Sequence, residues 1–310
     1  MVEKTQKFDP NIRSPMAMKL CPICNGLGNE ERQVGKHFLL KCRVCNFIYA
    51  NATDQEIEHV NFHFDEFVKC HYREVQSSID FLWFDRISDR LTQGREGLRV
   101  LDIGCGNGVL LRQFQKRGCV CFGSDPSPWA REYAQQYGYT LLPCIEEADI
   151  APESFDIVTS TSTLEHVARP LEHVQHIMAV VKQGGIAYIT CPNYGSLLIR
   201  LRILKGRLVN PPGHCNYFTT QTLRNLFMQK GLKEQAAEVR IRSYGIPEIH
   251  AVYGWFSRRK ARIAHNNQSC KTKGACLKKA LISIYYWFGA PFALGDKLEA
   301  WIEKNSPSPI

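Results

Sequence analysis

The feature that most constrains this 310-residue chain is a glycine-rich turn that joins an apolar run to a helical pattern. Residues 98–103 are typical of a buried strand, residues 109–115 indicate a helix, and a D-x-G-x-G-x-G pattern beginning at Asp102 connects them. Such a turn lets bare backbone approach a ligand and directs helix N–H groups towards it. Val109 stands where the dinucleotide fingerprint G-x-G-x-x-G needs its third glycine, so a different ligand is indicated.

A carboxylate follows the second apolar run. Residues 119–123 indicate a strand, and the chain continues as Ser124-Asp125-Pro126. A carboxylate at the tip of the second strand of such a unit suits the two hydroxyl groups of a ribose. The sequence therefore predicts an α/β fold in which the glycine turn and Asp125 serve one nucleotide-like ligand.

Further segments follow in the order that one family shows. They are SFDIVTS (154–160), TSTLEHV (161–167), GGIAYIT (184–190), PNYGS (192–196) and HCNYFT (214–219). With them, residues 98–235 resemble the class I S-adenosylmethionine-dependent methyltransferases, and the last two segments resemble a bacterial branch that methylates small molecules. The resemblance implies a Rossmann-like, seven-stranded, mostly parallel sheet with flanking helices. A Rossmann-like domain whose glycine turn binds another nucleotide, or none, is the alternative.

The resemblance also implies the residues that bind the cofactor. In the family the first glycine turn lies against the methionine part, the acid after the second strand holds both ribose hydroxyls, and the turn after the third strand flanks the adenine. Transferred to this sequence, the implied S-adenosylmethionine-binding residues are Asp102, Gly104, Cys105, Gly106, Asp125, Pro126, Cys144, Ile145, Glu146 and Thr161.

Four of the 13 cysteines indicate a metal site near the N-terminus. Cys21 and Cys24 form one C-x-x-C pair, and Cys42 and Cys45 form a second pair at a spacing typical of tetrahedral zinc ribbons. So small a segment cannot bury a core of its own, so the metal would supply much of its folding energy. Because all four ligands are thiolates, no position is open for a catalytic water, and a structural Zn²⁺ is predicted. Chance cysteines or a redox pair are the alternatives.

Two histidines are candidates for the proton transfer that methylation of a hydroxyl requires. His166 lies in the turn that the resemblance places at the methyl end of the cofactor, and His214 lies on a segment that the family places over the substrate. Either imidazole can accept a proton near neutral pH. A structural histidine that orients its turn is the alternative for His166. Ubiquinone-type O-methyltransferases resemble this turn but carry a metal-binding acid at the position of Ser162, so metal-assisted methylation of a catechol is not expected.

The chain divides into five predicted regions. They are a disordered tail (1–17), a zinc ribbon (18–52), a helical linker and lid that includes Tyr72 and Arg73 (53–96), the S-adenosylmethionine-binding core (97–235), and C-terminal strands with a basic, aromatic helical insertion (236–310). The apolar run 281–294 is shorter than the roughly 20 residues that a membrane-spanning helix needs. The first residues show no apolar signal segment, so a cytoplasmic protein with reduced cysteines is expected.

Basic residues of this chain, whose net charge is +9, cluster at 200–207, 258–262 and 271–279 near aromatic residues. This pattern fits a phosphate-bearing acceptor, such as a nucleotide sugar or a lipid-linked glycan, or peripheral contact with the inner face of an anionic membrane. A solvated basic face is the plain alternative.

These observations predict a methyltransferase that acts on a small molecule or a glycan, with O-methylation favoured over C-methylation. An RNA methyltransferase that binds through the zinc ribbon and the basic surface is the alternative. Against it, the chain carries Thr161-Ser162-Thr163-Leu164 where base-amine methyltransferases of this fold carry N/D-P-P-Y/F. No aromatic RNA-binding strand is visible either.

Overall fold

The computed structural model describes residues 19–63, 79–145, 150–196, 199, 208–244 and 295–306. Several predicted features lie outside the described residues: the N-terminal tail, Tyr72 and Arg73 of the lid, Glu146, the three basic clusters, and the apolar run 281–294. None of the described helices has the length and apolarity that a bilayer crossing requires.

The described elements alternate between strands and helices along most of the chain. In order they are β1 (Gly28–Val34), β2 (His37–Cys42), β3 (Ile48–Ala50), α1 (Asp54–Phe62), α2 (Ile79–Thr92), β4 (Arg99–Ile103), α3 (Val109–Gln115), β5 (Val120–Ser124), α4 (Pro128–Tyr137), β6 (Thr140–Leu142), β7 (Phe155–Thr161), α5 (Pro170–Val180), β8 (Val181–Pro192), β9 (Asn216–Tyr217), α6 (Thr220–Phe227), β10 (Ala236–Tyr244) and β11 (Lys297–Lys304).

Seven of these strands form one sheet in the order β10-β11-β8-β7-β4-β5-β6. Strands β4 to β8 pair in parallel, whereas β11 is antiparallel to both β8 and β10. The Rossmann-like, seven-stranded, mostly parallel fold expected from the sequence is confirmed. The chain runs outwards from β4 to β6 and then returns to β7 on the other side of β4. The carboxyl ends of β4 and β7 therefore flank the switch point at which open α/β sheets bind ligands.

Burial explains why these segments form the central strands. In β4 every residue after Arg99 is buried, as a parallel strand covered by helices on both faces requires. Helix α3 places Leu110, Leu111 and Phe114 in the core beneath the glycine turn, and it packs against α2. The turn between β4 and α3 is thus held from below by a close-packed layer.

The second sheet has four strands in the order β1-β2-β3-β9. Strands β1 to β3 follow or include the cysteine pairs, but β9 comes from a segment more than 150 residues further along the chain. The predicted zinc ribbon is therefore not a separate appendage, because it completes its sheet with a strand that follows His214. The proposed boundaries of the five regions stay predictions.

Candidate functional site

The glycine turn after β4 has a backbone that only glycine fits at two positions. Gly104 adopts φ +71°, and a Cβ there would overlap the side chain of Thr163. Gly108 adopts φ +66°, and a Cβ there would lie 2.6 Å from the ring of Tyr139. The Gly104 amide donates to the Ser124 carbonyl over 2.7 Å, which ties the ends of β4 and β5 together. The turn is therefore both narrow and rigidly placed.

Asp125 connects the tip of β5 to the same turn. Its Oδ2 accepts a hydrogen bond of 2.8 Å from the Gly106 amide, and its Oδ1 accepts the amide of Ser127 at 2.9 Å as well as the Ser127 hydroxyl. The carboxyl group is half-buried, so it stays accessible from the edge of the sheet. This is the position from which a carboxylate can accept hydrogen bonds from a ribose diol.

Asp102 and Cys105, two further predicted cofactor residues, lie deeper. Asp102 is only 2% exposed, and its Oδ1 accepts a 2.6 Å hydrogen bond from the hydroxyl of Thr159 on the neighbouring strand. Burial raises the pKa of Asp102 to about 7. Burial likewise raises the pKa of the Cys105 thiol, so this cysteine stays neutral. Asp102 thus joins β4 to β7 beneath the turn instead of lying open at its surface.

The remaining predicted cofactor residues lie at the carboxyl ends of their strands. Thr161 ends β7 and is half-buried, Pro126 is exposed after β5, and the half-buried Cys144 and buried Ile145 follow β6. Because parallel strands end at one edge, the fold collects these residues on the side of the sheet that carries the glycine turn. Glu146 lies outside the described residues.

The turn after β7 carries a carboxyl group that burial holds in its neutral form. Glu165 is 2% exposed, and within the described part of the chain its Oε2 has no hydrogen-bond partner. Burial raises the pKa of Glu165 to about 8. Its other oxygen lies 3.9 Å from Nε2 of His166, beyond hydrogen-bond distance. Sequence reasoning did not single out Glu165, since only the fold shows that this acid is buried.

The two predicted catalytic histidines are brought together. The rings of His166 and His214 contact edge to face, with centroids 4.7 Å apart. His166 Nδ1 lies 2.6 Å from the carbonyl oxygen of Gly213, and His214 Nδ1 lies 3.0 Å from that of Leu208. A carbonyl oxygen only accepts, so each Nδ1 carries the hydrogen and each Nε2 carries the lone pair of a neutral imidazole.

Desolvation keeps both imidazoles in that neutral form. Burial is the main cause that lowers the pKa of His166 to about 3, and the neighbouring His214 adds to it. Burial also lowers the pKa of His214 below its ordinary value. At neutral pH both imidazoles are therefore unprotonated, which a general base requires, and the same lowered pKa makes each a weaker proton acceptor than an exposed histidine.

The four cysteines of the two C-x-x-C pairs also come together, as predicted. Their sulfur atoms are 3.6 Å apart for Cys21 and Cys45, 3.4 Å for Cys24 and Cys42, and 3.5 Å for Cys24 and Cys45. Tetrahedral zinc with bonds of about 2.3 Å to sulfur needs an edge of about 3.8 Å, so small adjustments suffice. The cluster fits a structural Zn²⁺ held by four thiolates.

The backbone of both cysteine pairs repeats one geometry. Each pair is followed by an asparagine in the left-handed region, Asn25 with φ +57° and Asn46 with φ +59°. Each asparagine amide donates to the carbonyl of the first cysteine of its pair, at 2.9 and 3.1 Å. Amides of Val44 and Cys45 approach the Cys42 sulfur at 3.3 and 3.5 Å, an arrangement that stabilises a thiolate.

Glu165, His166 and His214 form the second group of metal-binding side-chain types among the described residues, with ligand atoms within 4.8 Å of one another. Zinc–nitrogen and zinc–oxygen bonds of about 2.0–2.2 Å bring ligand atoms to roughly 3.4 Å. The 3.9 Å between Glu165 and His166 exceeds that separation. Glu165 and His166 would have to move closer together to bind one ion, and Nδ1 of each histidine is already paired with a carbonyl oxygen.

Comparison with known proteins agrees with this geometry. The model of a family described as "Methyltransferase domain" matches residues 71–236, more than half of the chain. The chain belongs to this methyltransferase family. This chain is 34% identical over 117 residues to a ubiquinone biosynthesis O-methyltransferase of Aeromonas salmonicida. The aligned region covers 35% of this chain and 49% of the Aeromonas protein. The chain thus spans about half the length of the curated relatives it matches.

Solved structures show the same fold at low sequence identity. A SAM-dependent methyltransferase of Thermotoga maritima superposes with a TM-score of 0.53 and 16% identity, covering 80% of this family member and 99% of that chain. The plantazolicin methyltransferase BamL, solved with a triazolic desmethylPZN analog and SAH, gives a TM-score of 0.53 and 18% identity, covering 82% of this chain and 96% of that chain. The expectation of a class I S-adenosylmethionine-dependent methyltransferase fold is confirmed.

The Asp125→Ala variant tests the nucleotide site. We expect its affinity for S-adenosylmethionine to fall about 100-fold or more, because two hydrogen bonds to a charged group are each worth about 1.5–3 kcal/mol. Isothermal titration calorimetry measures this loss, and circular dichroism checks that the variant folds. Glu132→Ala, an exposed acid on α4, is the matched control. Unchanged affinity in folded Asp125→Ala protein would contradict the assignment.

Metal analysis of the purified protein tests the thiol cluster. We expect about one zinc ion per chain, lost in Cys45→Ser and retained in Cys119→Ser, whose cysteine is distant from the cluster in the fold. A strong chelator should lower the unfolding temperature of the wild type, because the metal holds the N-terminal sheet together. Full zinc content in Cys45→Ser would count against the site.

Proposed function

We propose that this protein transfers a methyl group from S-adenosylmethionine to a hydroxyl oxygen of a small molecule or glycan. The observation that carries the proposal is a pair of half-buried histidines, each with Nδ1 paired to a backbone carbonyl oxygen, on the turn that follows β7 and the segment before β9. That turn begins where Thr163 touches the glycine turn, so the proton acceptors lie beside the cofactor site. The curated relatives, named as O-methyltransferases, support oxygen as the acceptor atom.

Bound S-adenosylmethionine would supply an electrophilic methyl group on a sulfonium sulfur. The residues present fit it: the glycine turn brings backbone amides to this edge of the sheet, and the half-buried Asp125 beside it is placed for the ribose hydroxyls. Cys144 and Ile145 would flank the adenine, and Thr161 and Pro126 would border the same edge. In this proposal residues 97–235 form the cofactor-binding core and residues 18–52 form the zinc ribbon.

The chain's own chemical task is to align the acceptor and to remove one proton. As the acceptor oxygen forms its bond to the methyl carbon, its hydrogen must leave, and Nε2 of His166 or His214 is the group that can take it. The Nδ1 hydrogen bonds to Gly213 and Leu208 fix the tautomer that this step needs. Glu165 is buried and both histidines are half-buried, which limits the access of bulk water to the reacting atoms.

The acceptor class is tested by methyl transfer from labelled S-adenosylmethionine into cell extract divided into RNA, lipid-linked glycan and small-molecule fractions. We expect label in the glycan or small-molecule fraction, and Asp125→Ala protein serves as the inactive control. Label that resides in RNA and disappears with ribonuclease would overturn the proposal. Cytoplasmic location stays a prediction, and so does peripheral membrane contact, whose basic segments lie outside the described residues.

The pH profile of kcat/KM tests the histidine assignment. Protonation of the base stops the reaction, and a lowered imidazole pKa moves that loss to lower pH. We therefore expect activity to persist below pH 6.5, about the ordinary imidazole pKa, and to fall only in more acidic buffer. Alanine variants of His166 and His214 should lower kcat by about 100- to 10,000-fold with cofactor affinity retained, whereas His176→Ala on α5 should not. A fall centred on pH 6.5 would contradict burial of the base.

A further inference from the structure

The zinc ribbon and the histidine pair share a strand. In the ribbon sheet β3 pairs antiparallel with β9, matching Ile48 to Tyr217 and Tyr49 to Asn216. The Ala50 amide donates to the Cys215 carbonyl over 2.8 Å and extends this pairing by one residue. Strand β3 starts just after the second cysteine pair, and β9 starts just after His214. Few residues therefore separate the thiol cluster from the acceptor site.

Asn216 on β9 also forms hydrogen bonds with the turn that carries His166. Its side-chain amide donates to the carbonyl of Leu164 at 3.1 Å and to that of Val167 at 2.6 Å. Backbone amides of Cys215 and Asn216 both donate to the Glu165 carbonyl, at 2.8 and 3.2 Å. The Asn216 side chain, which is 3% exposed, thus bridges the turn from Leu164 to Val167.

Helix α1 makes a second link from the ribbon side. The Asn61 side chain donates to the His166 carbonyl over 2.9 Å. The start of this helix is held by Lys19, whose Nζ reaches the Ala52 carbonyl at 2.6 Å and Asp54 at 3.3 Å. A shared apolar cluster fills the space between ribbon, α1 and the segment around β9; it consists of Leu39, Ile48, Ala50, Ala52, Ile57, Val209, Cys215 and Tyr217.

We propose that the zinc-loaded ribbon positions the two histidines through Asn216, so that Asn216 is a positioning residue for methyl transfer. The inference rests on the proposed function for its kinetic consequences. Without metal the two cysteine pairs lose the ion that ties them together, and the ribbon strands are held only by their apolar contacts with the rest of the fold. The pairing of β9 with β3 is then weakened, and the hydrogen bonds of Asn216 no longer hold the turn in one geometry.

The cofactor site does not depend on this link. Among the described residues its hydrogen bonds run between the glycine turn, Ser124, Asp125 and Ser127, and none of these bonds involves the ribbon. Loss of zinc or of the Asn216 side chain should therefore affect cofactor affinity and histidine placement differently. Affinity for S-adenosylmethionine persists, while the placement of His166 and His214 changes. A displacement of about 1 Å in a reacting group costs about 100-fold in rate.

The test compares Asn216→Ala with Asn305→Ala in the full-length, zinc-loaded protein. Asn305 is the matched control, because its amide also donates to a backbone carbonyl, that of Glu234, on an exposed part of the fold. We expect Asn216→Ala to lose about 10- to 100-fold in kcat with unchanged cofactor affinity, and Asn305→Ala to lose nothing. Full kcat in Asn216→Ala, or a parallel loss of cofactor affinity, would overturn the proposal.

A second measurement does not need the acceptor or the Asn216→Ala variant. Imidazole NMR signals of wild-type protein, assigned with His166→Gln and His214→Gln, are followed while zinc is chelated and then restored. We expect both signals to move on chelation and to return with zinc, while calorimetry shows S-adenosylmethionine still bound. Signals that stay in place would refute the coupling. If they move but no fraction accepts label, the proposed function fails and the coupling stands.

Discussion

The hydrogen bond from the Gly104 amide to the Ser124 carbonyl is the contact on which the arrangement of the site depends. It closes the turn after β4 against the end of β5, and this brings Gly106 to Asp125. The closure is feasible only because Gly104 lacks a side chain, as Thr163 occupies the space that a Cβ would need. Three loops at the edge of the sheet thus meet at one backbone position. A side chain there would separate all three.

The sequence predicted what depends on short-range pattern. The parallel strands, the glycine turn and the two cysteine pairs are local signals, because apolar runs, positive φ angles and thiolate spacing are set within a few residues. Helix α3 begins at the residue that the pattern indicates. The class I methyltransferase fold followed from the order of such segments.

The features that the sequence did not reveal all depend on distant contacts. Strand β9 has only two residues and no strand pattern of its own, so nothing in it predicts pairing with Tyr49 and Ile48. Asn216 resembles any loop asparagine until its two carbonyl acceptors are known. The state of Glu165 is a further case, because a carboxyl group titrates normally in water and only its burial raises its pKa to about 8. Burial is a property of the assembled fold.

The turn after β7 is where the two networks of the molecule meet. Thr163 donates to the Ile103 carbonyl at 3.2 Å and so attaches the turn to β4 and the cofactor edge. Two residues later, the Glu165 carbonyl accepts the amides that attach the same turn to β9 and the ribbon. His166 follows directly in the sequence. Hydrogen bonds to β4 and the glycine turn therefore hold its turn on one side, and hydrogen bonds to β9 and the zinc ribbon hold it on the other. Such a division lets the cofactor site and the acceptor site vary separately, since each is supported by its own set of hydrogen bonds.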